Sequence, residues 1–508
     1  MRAWLRAALL VAGGTACALA QAVDCAACHQ QQAGEHALSA HGRELKRGNA
    51  AAPGCATCHG DAHEGRAGTA DFRKAVPELC GVCHAEIAAE FQTSVHGKAS
   101  ARGRVDAPVC TDCHGEHSIL RPKDTSSAVH PRHIRETCAR CHDDVRLARR
   151  WGLPPDRLTT FDSSFHGLAA KTGSQTVANC ASCHGFHNIL PSNDAKSTIH
   201  PARLAATCGR CHPGAGRRFA LGTIHTAPGG AEAAPVRWAR IFYLVVIPVV
   251  IGLMVLHQGG DWVRKLGRLR FSGQPPPAPA IAAAEIRMYP LERIQHALLM
   301  LSFFTLVWTG FALKYPDTWW AWPMVAMESR WAMRGLLHRI AGVMLIGLAI
   351  AHIVSLTWNA RLRAHWLHLL PRRTDAGDAA RGLAFNLGLA RRGPPATAHG
   401  YMEKAEYWAV VWGTAIMALT GLMLWADNFM LRWLPKTWLD FATTVHFYEA
   451  ILATLAIVVW HFYSVLFDPE VYPMDPAWIA GRSVRPRQPE SPPPEPTPDH
   501  LEDAEQHV

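Results

Sequence analysis

Residues 110–115 read Cys-Thr-Asp-Cys-His-Gly, and the pattern Cys-x-x-Cys-His occurs seven times in the first 212 residues of this 508-residue chain. Two thiols three residues apart can add to the two vinyl groups of one haem, and the histidine that follows is placed to ligate its iron. One copy alone would also suit a redox dithiol or half of a zinc site, but seven copies that all keep the histidine favour haem. The motifs are Cys25/Cys28/His29, Cys55/Cys58/His59, Cys80/Cys83/His84, Cys110/Cys113/His114, Cys138/Cys141/His142, Cys180/Cys183/His184 and Cys208/Cys211/His212.

These motifs use fourteen of the fifteen cysteines, so no disulfide framework remains, and the pattern predicts a heptahaem c-type cytochrome. The remaining cysteine, Cys17, lies in residues 1–20, where Arg2 and Arg6 precede an apolar run that closes on Ala-Leu-Ala. This is the pattern of a signal peptide. Because haem attachment to thiols requires an exported chain, residues 21–226 are predicted to form a periplasmic haem domain.

The haem motifs lie in an internal repeat. Residues 96–142 fall on residues 166–212 when shifted by 70, and a looser copy begins at His41. Each repeat has a His-Gly pair, a CxxCH-Gly motif with a second histidine just after it, and another CxxCH. Electron-transfer haems usually carry a second axial ligand, and the repeated histidines match the seven irons in number. The second-ligand candidates are His41, His63, His96, His117, His166, His187 and His225, with His36, His130, His133 and His200 as open alternatives.

Beyond a linker of small residues at 226–235, five apolar spans follow, each near or above the ~20 residues that a helix needs to cross a bilayer. The first and third of the connecting loops are rich in arginine, whereas the second and fourth carry about as many acids as bases. The positive-inside rule therefore places the two arginine-rich loops in the cytoplasm and the haem domain outside. The predicted spans are 238–256, 291–313, 334–357, 405–425 and 442–466.

The chain is thus predicted to be mainly α. A haem-packed domain with short helices and little other regular structure precedes a first transmembrane helix at 237–257. A four-helix di-haem domain follows at 286–467, and a disordered cytoplasmic tail at 468–508. The formal charge of +10 lies largely in the loops beside apolar spans, which is a topology signal and not the mark of a nucleic-acid partner. We expect a multi-pass protein of the inner (cytoplasmic) membrane.

Five histidines lie inside the apolar spans, where a polar ring is costly. His338 and His352 are fourteen residues apart on one predicted helix, and His446 and His461 are fifteen apart on another. Each spacing returns close to the same helix face after roughly 21 Å, nearly the depth of a bilayer core. Two such helices can hold two stacked b-type haems. His296 is the fifth candidate, at the start of its own span.

Two sets of residues resemble the prokaryotic cytochrome b family, which includes cytochrome b561 and the membrane subunits of formate dehydrogenases, nickel-iron hydrogenases and thiosulfate reductases. The first is Glu-Arg-Ile-Gln-His at 292–296 followed by Thr-Gly at 309–310. The second is Glu-Lys-Ala-Glu-Tyr-Trp at 403–408 followed by Thr-Gly at 420–421. The resemblance to the formate dehydrogenase type implies His338 with His446 at an outer haem and His296 with His461 at an inner one. His352 departs from that pattern and is the alternative inner ligand.

A multihaem c domain joined to such a membrane domain resembles inner-membrane quinol dehydrogenases. The expected function is electron transfer from the quinol pool, through two b haems, to seven c haems and a periplasmic electron-carrier protein or terminal reductase. The same residues would serve the reverse flow from a periplasmic donor to quinone. A multihaem terminal reductase and a membrane anchor for a separate catalytic partner are further alternatives. The candidates for quinol protons are Tyr289, Glu292, Glu403 and Glu449.

Overall fold

The computed structural model describes residues 24–60, 68–154, 156–216, 224–225, 233–272, 286–395 and 399–482. In these residues the chain is helical and contains no strand, so the prediction of a mainly α protein is confirmed. The chain divides into two compact units, the first formed by residues 1–147 and 180–191 and the second by residues 148–179 and 192–508. The predicted signal peptide, residues 1–20, lies outside the described residues, as does His63.

The N-terminal part consists of short helices, most of them at or beside the CxxCH motifs. They are α1 Gln30–Leu38, α2 Ala40–Lys46, α3 Cys55–His59, α4 Ala70–Gly81, α5 Ala85–Thr93, α6 Val95–Ala101, α7 Cys110–His114, α8 Ile134–His142, α9 Val145–Arg150, α10 Arg157–Asp162, α11 Phe165–Lys171, α12 Cys180–His184 and α13 Leu204–Gly209, with a 3-10 turn at Cys25–Ala27. More of this part is regular than expected, because helices also occupy the stretches between motifs. Among the described residues of this part few apolar side chains are fully buried, Val109 and Phe161 being two of them, so those residues do not form an aliphatic core of ordinary size.

Five helices in the described residues are long and apolar enough to cross a membrane, which confirms the predicted number of spans. They are α14 Ala234–Ser272, α15 Pro290–Lys314, α17 Met333–Trp358, α20 Tyr401–Trp425 and α22 Lys436–Ala456, which continues through two π-helical turns to Phe467. The shorter helices between and after them are Trp319–Ala321 (3-10), α16 Trp322–Trp331, α18 Ala360–Leu367, α19 Arg373–Asn386, α21 Asp427–Met430 and α23 Ala477–Ala480.

The spans pack in hairpins. Helix α15 lies against α17, α20 lies against α22, and α14 packs along α22. Because consecutive spans are antiparallel, His296 and His461 lie at one end of the bundle and His338 at the other. These are called the His296 end and the His338 end below.

Two ordered segments extend beyond their predicted bounds. Helix α14 continues to Ser272, fifteen residues beyond the predicted 237–257, so the basic residues after residue 257 begin on a helix and not in a loop. The segment after the last span is also ordered for longer than predicted: Val471 is 2% exposed, and Asp468 accepts a hydrogen bond from Lys265 of α14 at 2.8 Å. This tie to α14 explains why residues 468–482 are held in place. Residues 483–508 of the predicted tail lie outside the described residues.

Candidate haem-binding sites

The fourteen CxxCH cysteines are exposed or half-buried, and none of them is joined in a disulfide. Their thiols therefore remain available for thioether bonds, and haem attachment at these positions stays a prediction. The first cysteines are Cys25, Cys55, Cys80, Cys110, Cys138, Cys180 and Cys208, and the second are Cys28, Cys58, Cys83, Cys113, Cys141, Cys183 and Cys211.

In three motifs the second cysteine lies just outside the short helix or 3-10 turn that contains the first. Cys28 ends a 3-10 turn, whereas Cys83 and Cys211 lie in exposed turns just after α4 and α13. The reason is a tighter hydrogen bond: the N–H of Cys83 donates to Cys80 three residues back at 3.3 Å, and the N–H of Cys211 donates to the equivalent carbonyl at 3.2 Å. Cys183, by contrast, is half-buried and stays on α12 with the first cysteine of its motif.

First cysteines of neighbouring motifs also approach one another. Their side chains lie close enough to interact in three pairs, so the attachment points of successive haems are adjacent. Haems bound at these motifs would therefore lie next to each other, as a chain of short electron-transfer steps requires. The pairs are Cys25–Cys55, Cys80–Cys110 and Cys138–Cys180.

The His-Gly pair that heads each repeat belongs to a longer pattern, Ser-x-His-Gly. In all three copies the serine caps a short helix, with its hydroxyl accepting the glycine N–H at 3.0 to 3.1 Å. The glycine is required because a Cβ at Gly97 would lie 2.1 Å from the carbonyl oxygen of Phe91. The pattern thereby places each head histidine on the first turn of a tightly packed helix. The three copies are Ser39–Gly42, Ser94–Gly97 and Ser164–Gly167.

Within the described residues, second imidazoles face five CxxCH histidines at measured distances. A metal–imidazole bond of about 2 Å on each side of one iron would put two ring centres about 6 Å apart. The structure shows this separation for every one of the five pairs. They are His41–His84 at 6.3 Å, His59–His117 at 6.1 Å, His96–His142 at 6.2 Å, His114–His187 at 6.1 Å and His166–His212 at 6.2 Å.

The pairs follow one rule. A head histidine faces the second CxxCH of its own repeat, as His96 faces His142. The histidine after CxxCH-Gly faces the first CxxCH of the preceding repeat, as His117 faces His59 and His187 faces His114. Burial, and then His142 beside it, lowers the pKa of His96 to about 4, so its imidazole is neutral and has a free lone pair at neutral pH.

Backbone hydrogen bonds join successive repeats in the same order. The N–H of Ala40 donates to the carbonyl of Ile119 at 2.8 Å, and that of Val95 donates to Ile189 at 2.9 Å. The helix that carries a head histidine is therefore hydrogen-bonded to the segment that follows the CxxCH-Gly motif of the next repeat. The same contacts that order the repeats also bring histidines of neighbouring repeats together.

The ring nitrogens of the four alternative histidines form hydrogen bonds with backbone groups. Nε2 of His36 bonds the carbonyl of Pro53 at 3.1 Å, and Nε2 of His133 bonds that of Thr125 at 3.0 Å. Nδ1 of His130 accepts from the N–H of Arg132, and Nδ1 of His200 accepts in the same way from Ala202. A neutral ring that accepts at Nδ1 carries its proton on Nε2. All four rings therefore present the wrong nitrogen for ligation through Nε2, although His130 and His133 lie 6.2 Å apart.

His225 is held as a ligand would be. Its Nδ1 lies 3.1 Å from the carbonyl of Arg157 and 3.2 Å from the hydroxyl of Thr160, which itself donates to Asp156. Both partners accept, so Nδ1 carries the proton and Nε2 keeps its lone pair.

The proximal histidines His29 and His184 lie directly after their cysteines, at the start of α1 and the end of α12.

At the His338 end of the bundle, His338 and His446 face each other with ring centres 6.4 Å apart. Nδ1 of His338 lies 2.8 Å from the hydroxyl of Thr309, which donates its own proton to Thr305. The second ring repeats this arrangement with Thr420 at 2.9 Å. Each threonine can only accept from its histidine, so each ring keeps its proton on Nδ1 and turns an unprotonated Nε2 to the other ring.

The glycine after each threonine makes room for the ring. A Cβ at Gly310 would lie 3.4 Å from Cε1 of His338, and one at Gly421 would lie 3.3 Å from Cε1 of His446. The Thr-Gly pair thus both orients and accommodates a histidine of the neighbouring helix. A pair of imidazoles with fixed tautomers is the donor set that a low-spin haem iron requires, so these residues fit the group.

At the His296 end, the structure brings His296 to His461, with ring centres 6.2 Å apart. Nδ1 of His461 lies 3.2 Å from the Glu406 carboxylate, whereas Nδ1 of His296 is buried and has no hydrogen-bond partner within the described residues. The alternative ligand, His352, is placed elsewhere: its Nε2 lies 3.2 Å from the hydroxyl of Tyr407.

The candidates for quinol protons have structural partners. Glu292 and Glu403 each accept the backbone N–H that precedes their helix, at 2.7 and 3.0 Å, which is a capping role. Glu449, only 9% exposed, accepts the hydroxyl of Tyr243 of α14 at 2.8 Å. Tyr289 is the N-cap residue just before α15 and lies against His365.

The last CxxCH motif touches the loops at the His338 end, within the second compact unit. Nδ1 of His212 lies 3.2 Å from Oδ1 of Asn428, which follows the fourth span. Lys171 forms an ion pair with Asp317, in the loop after the second span, at 3.2 Å. The His166–His212 pair therefore lies at the same end of the bundle as the His338–His446 pair.

Several of these supporting residues were not selected from the sequence. The tautomer-setting partners Asn428 and Glu406 lie 216 and 55 residues from their histidines, so no local pattern points to them. The serine of Ser-x-His-Gly does recur at a constant spacing before each head histidine, and that signal was available.

Residues 287–473 match the family model described as prokaryotic cytochrome b561. The matched region contains the last four spans and all five intramembrane histidines. Searches of the curated proteins and of the solved structures found no match. The match supports a b-type cytochrome membrane domain in a multi-pass membrane protein and, with it, membrane electron transfer through b haems.

Proposed function

We propose that this protein is a quinol:cytochrome oxidoreductase of the inner membrane, which passes electrons from the quinol pool to a periplasmic acceptor. The observation that carries the proposal is the set of seven facing imidazole pairs, five in the CxxCH repeats and one at each end of the bundle. The His212–Asn428 contact supports the link between the two parts, because it brings a CxxCH motif to the His338 end.

The residues present would hold nine haems. The cysteines of the seven CxxCH motifs would bind seven covalently, and His338/His446 and His296/His461 would hold two b haems. The repeat rule assigns His63 to the haem at Cys25 and Cys28, since His63 follows CxxCH-Gly of the first repeat. Haem iron, when bound, supplies reversible one-electron oxidation and reduction.

The protein's own contribution is to fix ligand orientation and spacing. Thr309, Thr420, Asn428 and Glu406 hold Nδ1 of their histidines and keep Nε2 available. A neutral hydroxyl supports each ring at the His338 end, and a carboxylate supports His461 at the His296 end. A carboxylate partner makes an imidazole a stronger donor and favours ferric iron, so the inner b site is expected to have the lower potential. That order favours electron flow toward the CxxCH repeats.

The proposed orientation rests on charge and on the predicted signal peptide. The arginine-rich loops adjoin the His296 end, which the positive-inside rule assigns to the cytoplasm. The His338 end and the CxxCH repeats then face the periplasm. An electron-carrier protein or a terminal reductase would collect the electrons there.

The competing functions differ in what they require. Reverse flow, from a periplasmic donor to quinone, uses the same residues and differs only in potentials and partners. A terminal reductase needs an iron with an open sixth position, and the facing rings at five CxxCH sites leave no such position there. A passive anchor needs a free surface at the His338 end, where residues of the last CxxCH repeat contact the loops.

The test is stopped-flow reduction of the purified protein by duroquinol. In the wild type, b and c haem absorbances should both rise. His338→Ala and His446→Ala should each remove one b haem, leave all seven c haems attached, and slow reduction of the c haems by at least about 100-fold, because the electron path across the bilayer is interrupted. His368→Ala, a histidine near the opposite membrane face, serves as the control and should behave as the wild type.

Reduction of the c haems at the wild-type rate in either variant would contradict a transmembrane path. A wild type whose haems duroquinol and menaquinol analogues cannot reduce, while reduced c haems pass electrons to duroquinone, would establish the reverse flow instead.

A further inference from the structure

The four-helix membrane domain contains an imperfect internal repeat. Residues 292–310 fall on residues 403–421 when shifted by 111, so that the capping glutamates and the Thr-Gly pairs coincide. On the helix that follows each Thr-Gly, a histidine pair has nearly the same spacing. The equivalent residues are Glu292/Glu403, Thr309/Thr420, Gly310/Gly421, His338/His446 and His352/His461.

The repeat holds in three dimensions at the His338 end. Both Thr-Gly pairs contact the first histidine of the following helix with the same atoms and at almost the same distances, and those histidines face each other. The two halves are therefore structurally equivalent there, each giving one ring to a shared site.

The equivalence is broken at the His296 end. His296, on the first helix of one half, faces His461 of the other half. The counterpart of this pair consists of Tyr407, which occupies the place of His296, and His352, which occupies the place of His461. The structure does bring these two together, with the tyrosine hydroxyl 3.2 Å from Nε2 of His352. A phenol has thus replaced one imidazole of a symmetry-related ligand pair.

Neighbouring side chains close this second position to a haem. The Trp366 ring lies 4.9 Å from that of His352 and 4.5 Å from that of Tyr407, and its indole N–H donates to the buried Glu292 carboxylate. Three aromatic rings fill the space in which a macrocycle would lie. What remains is a hydrogen-bonded phenol–imidazole pair at the same end of the bundle as His296 and His461.

The same end also offers room for a flat aromatic donor. An open groove of about 700 Å³ is lined by Gln295 of α15 and by Ala351 and Ser355 of α17, while His352 and Tyr407 are not among its lining residues. That volume lies in the range of small-molecule sites, and apolar walls with a few polar groups suit a quinol ring with its isoprenoid tail.

We propose that Tyr407 and His352 take the protons of quinol, an inference that rests on the proposed function. A quinol hydroxyl gives its proton to the phenolic oxygen of Tyr407 while the proton of Tyr407 moves to Nε2 of His352. The electron released with each proton would pass to a haem held by His296 and His461, which would supply the one-electron acceptor. His352 then releases its proton to water at this end, and a second such step turns the quinol into quinone.

The experiment compares Tyr407→Phe and His352→Gln with the wild-type holoprotein in detergent. Both variants should slow haem reduction by duroquinol by about 100-fold, the usual size of a lost acid–base contribution. Reduction by dithionite, which delivers no quinol protons, should remain complete in both variants. The two b haems should remain bound, with unchanged midpoint potentials.

A readout independent of turnover is equilibrium binding of duroquinone, followed by quenching of tryptophan fluorescence. The Kd should rise about tenfold in Tyr407→Phe, which lacks the hydroxyl that would bond the quinone oxygen.

The matched control is Tyr401→Phe. Tyr401 lies at the same end and its hydroxyl is likewise bonded to an imidazole, Nε2 of His257, at 2.6 Å, but it has no counterpart ligand in the repeat. This variant should keep the wild-type rate and Kd. Wild-type rates in both Tyr407→Phe and His352→Gln, or slowing in Tyr401→Phe alone, would overturn the inference. Failure of duroquinol to reduce the wild type would instead contradict the proposed function.

Discussion

At the scale of single residues, hydrogen bonding separates ligand histidines from structural ones. His212, His225, His338 and His446 hold an acceptor at Nδ1 and keep Nε2 unprotonated. In His36 and His133, by contrast, Nε2 is hydrogen-bonded to a backbone carbonyl. Breaking such a bond to free the ring would leave a carbonyl without its donor, so these tautomers are stable features of the fold.

This distinction predicts opposite results for two methionine substitutions. His117→Met should keep one haem low-spin and raise its midpoint potential on the order of 100 mV, because a thioether favours ferrous over ferric iron. His133→Met should leave all seven c potentials unchanged. A redox titration of each full-length variant, monitored at the c-haem absorbance, would measure both sets of potentials. A shift in the His133 variant with none in the His117 variant would contradict the ligand assignment.

At the scale of elements, a short motif on one helix prepares a site on the next. In the hairpin of α15 and α17, Thr309 orients His338 and Gly310 leaves space for its ring; Thr420 and Gly421 do the same for α20 and α22. In the soluble part, the serine and glycine of Ser-x-His-Gly fix the start of a helix and bring it against its predecessor. In both cases the glycine matters for close approach and not for backbone freedom.

Enlarging this glycine should therefore remove the site. Gly421→Val should displace His446 and lower the b-haem content from two to one, since even its Cβ would lie 3.3 Å from the ring and the two methyl groups would extend further. Gly347→Val, in α17, is the matched control, because a Cβ there meets no atom within 4 Å. Pyridine haemochrome spectra of the purified variants measure the outcome. Two b haems in Gly421→Val would show that the close approach is not needed.

At the scale of the whole molecule, the last CxxCH motif, Cys208 to His212, and the membrane helices share one compact unit. Residues 148–179 and 192–216 contact the loops of the bundle through His212, Lys171 and their partners. Tyr243 of α14 adds a buried bond to Glu449 of α22, so the span outside the family match is also fixed to the bundle. Side-chain contacts, and not only the continuous chain, therefore hold these segments against the bundle.

The whole protein should contain seven c haems and two b haems. Acid–acetone extracts only the non-covalent group, so pyridine haemochrome spectra of the pellet and extract should give a c:b ratio near 7:2. A ratio near 7:3 would mean that the Tyr407–His352 position also binds haem. A ratio near 7:1 would mean that one of the two intramembrane histidine pairs is structural.

The sequence alone was sufficient for the mainly α fold, the five spans and the list of candidate histidines, because these depend on local composition and spacing. Thioether attachment needs two cysteines at a set distance along the chain, and a span needs a minimum run of apolar residues. Neither requirement involves distant residues.

Only the tertiary structure decided which rings face each other. His117 lies three residues after His114 yet faces His59, and His296 is paired with a histidine 165 positions later while His352 is turned to a tyrosine. Pairing depends on how repeats and helices pack, and the residues that set each tautomer come from other elements. Because an imidazole can bind a metal, a carbonyl or a phenol with the same nitrogen, its role is set by the neighbour that packing places beside it.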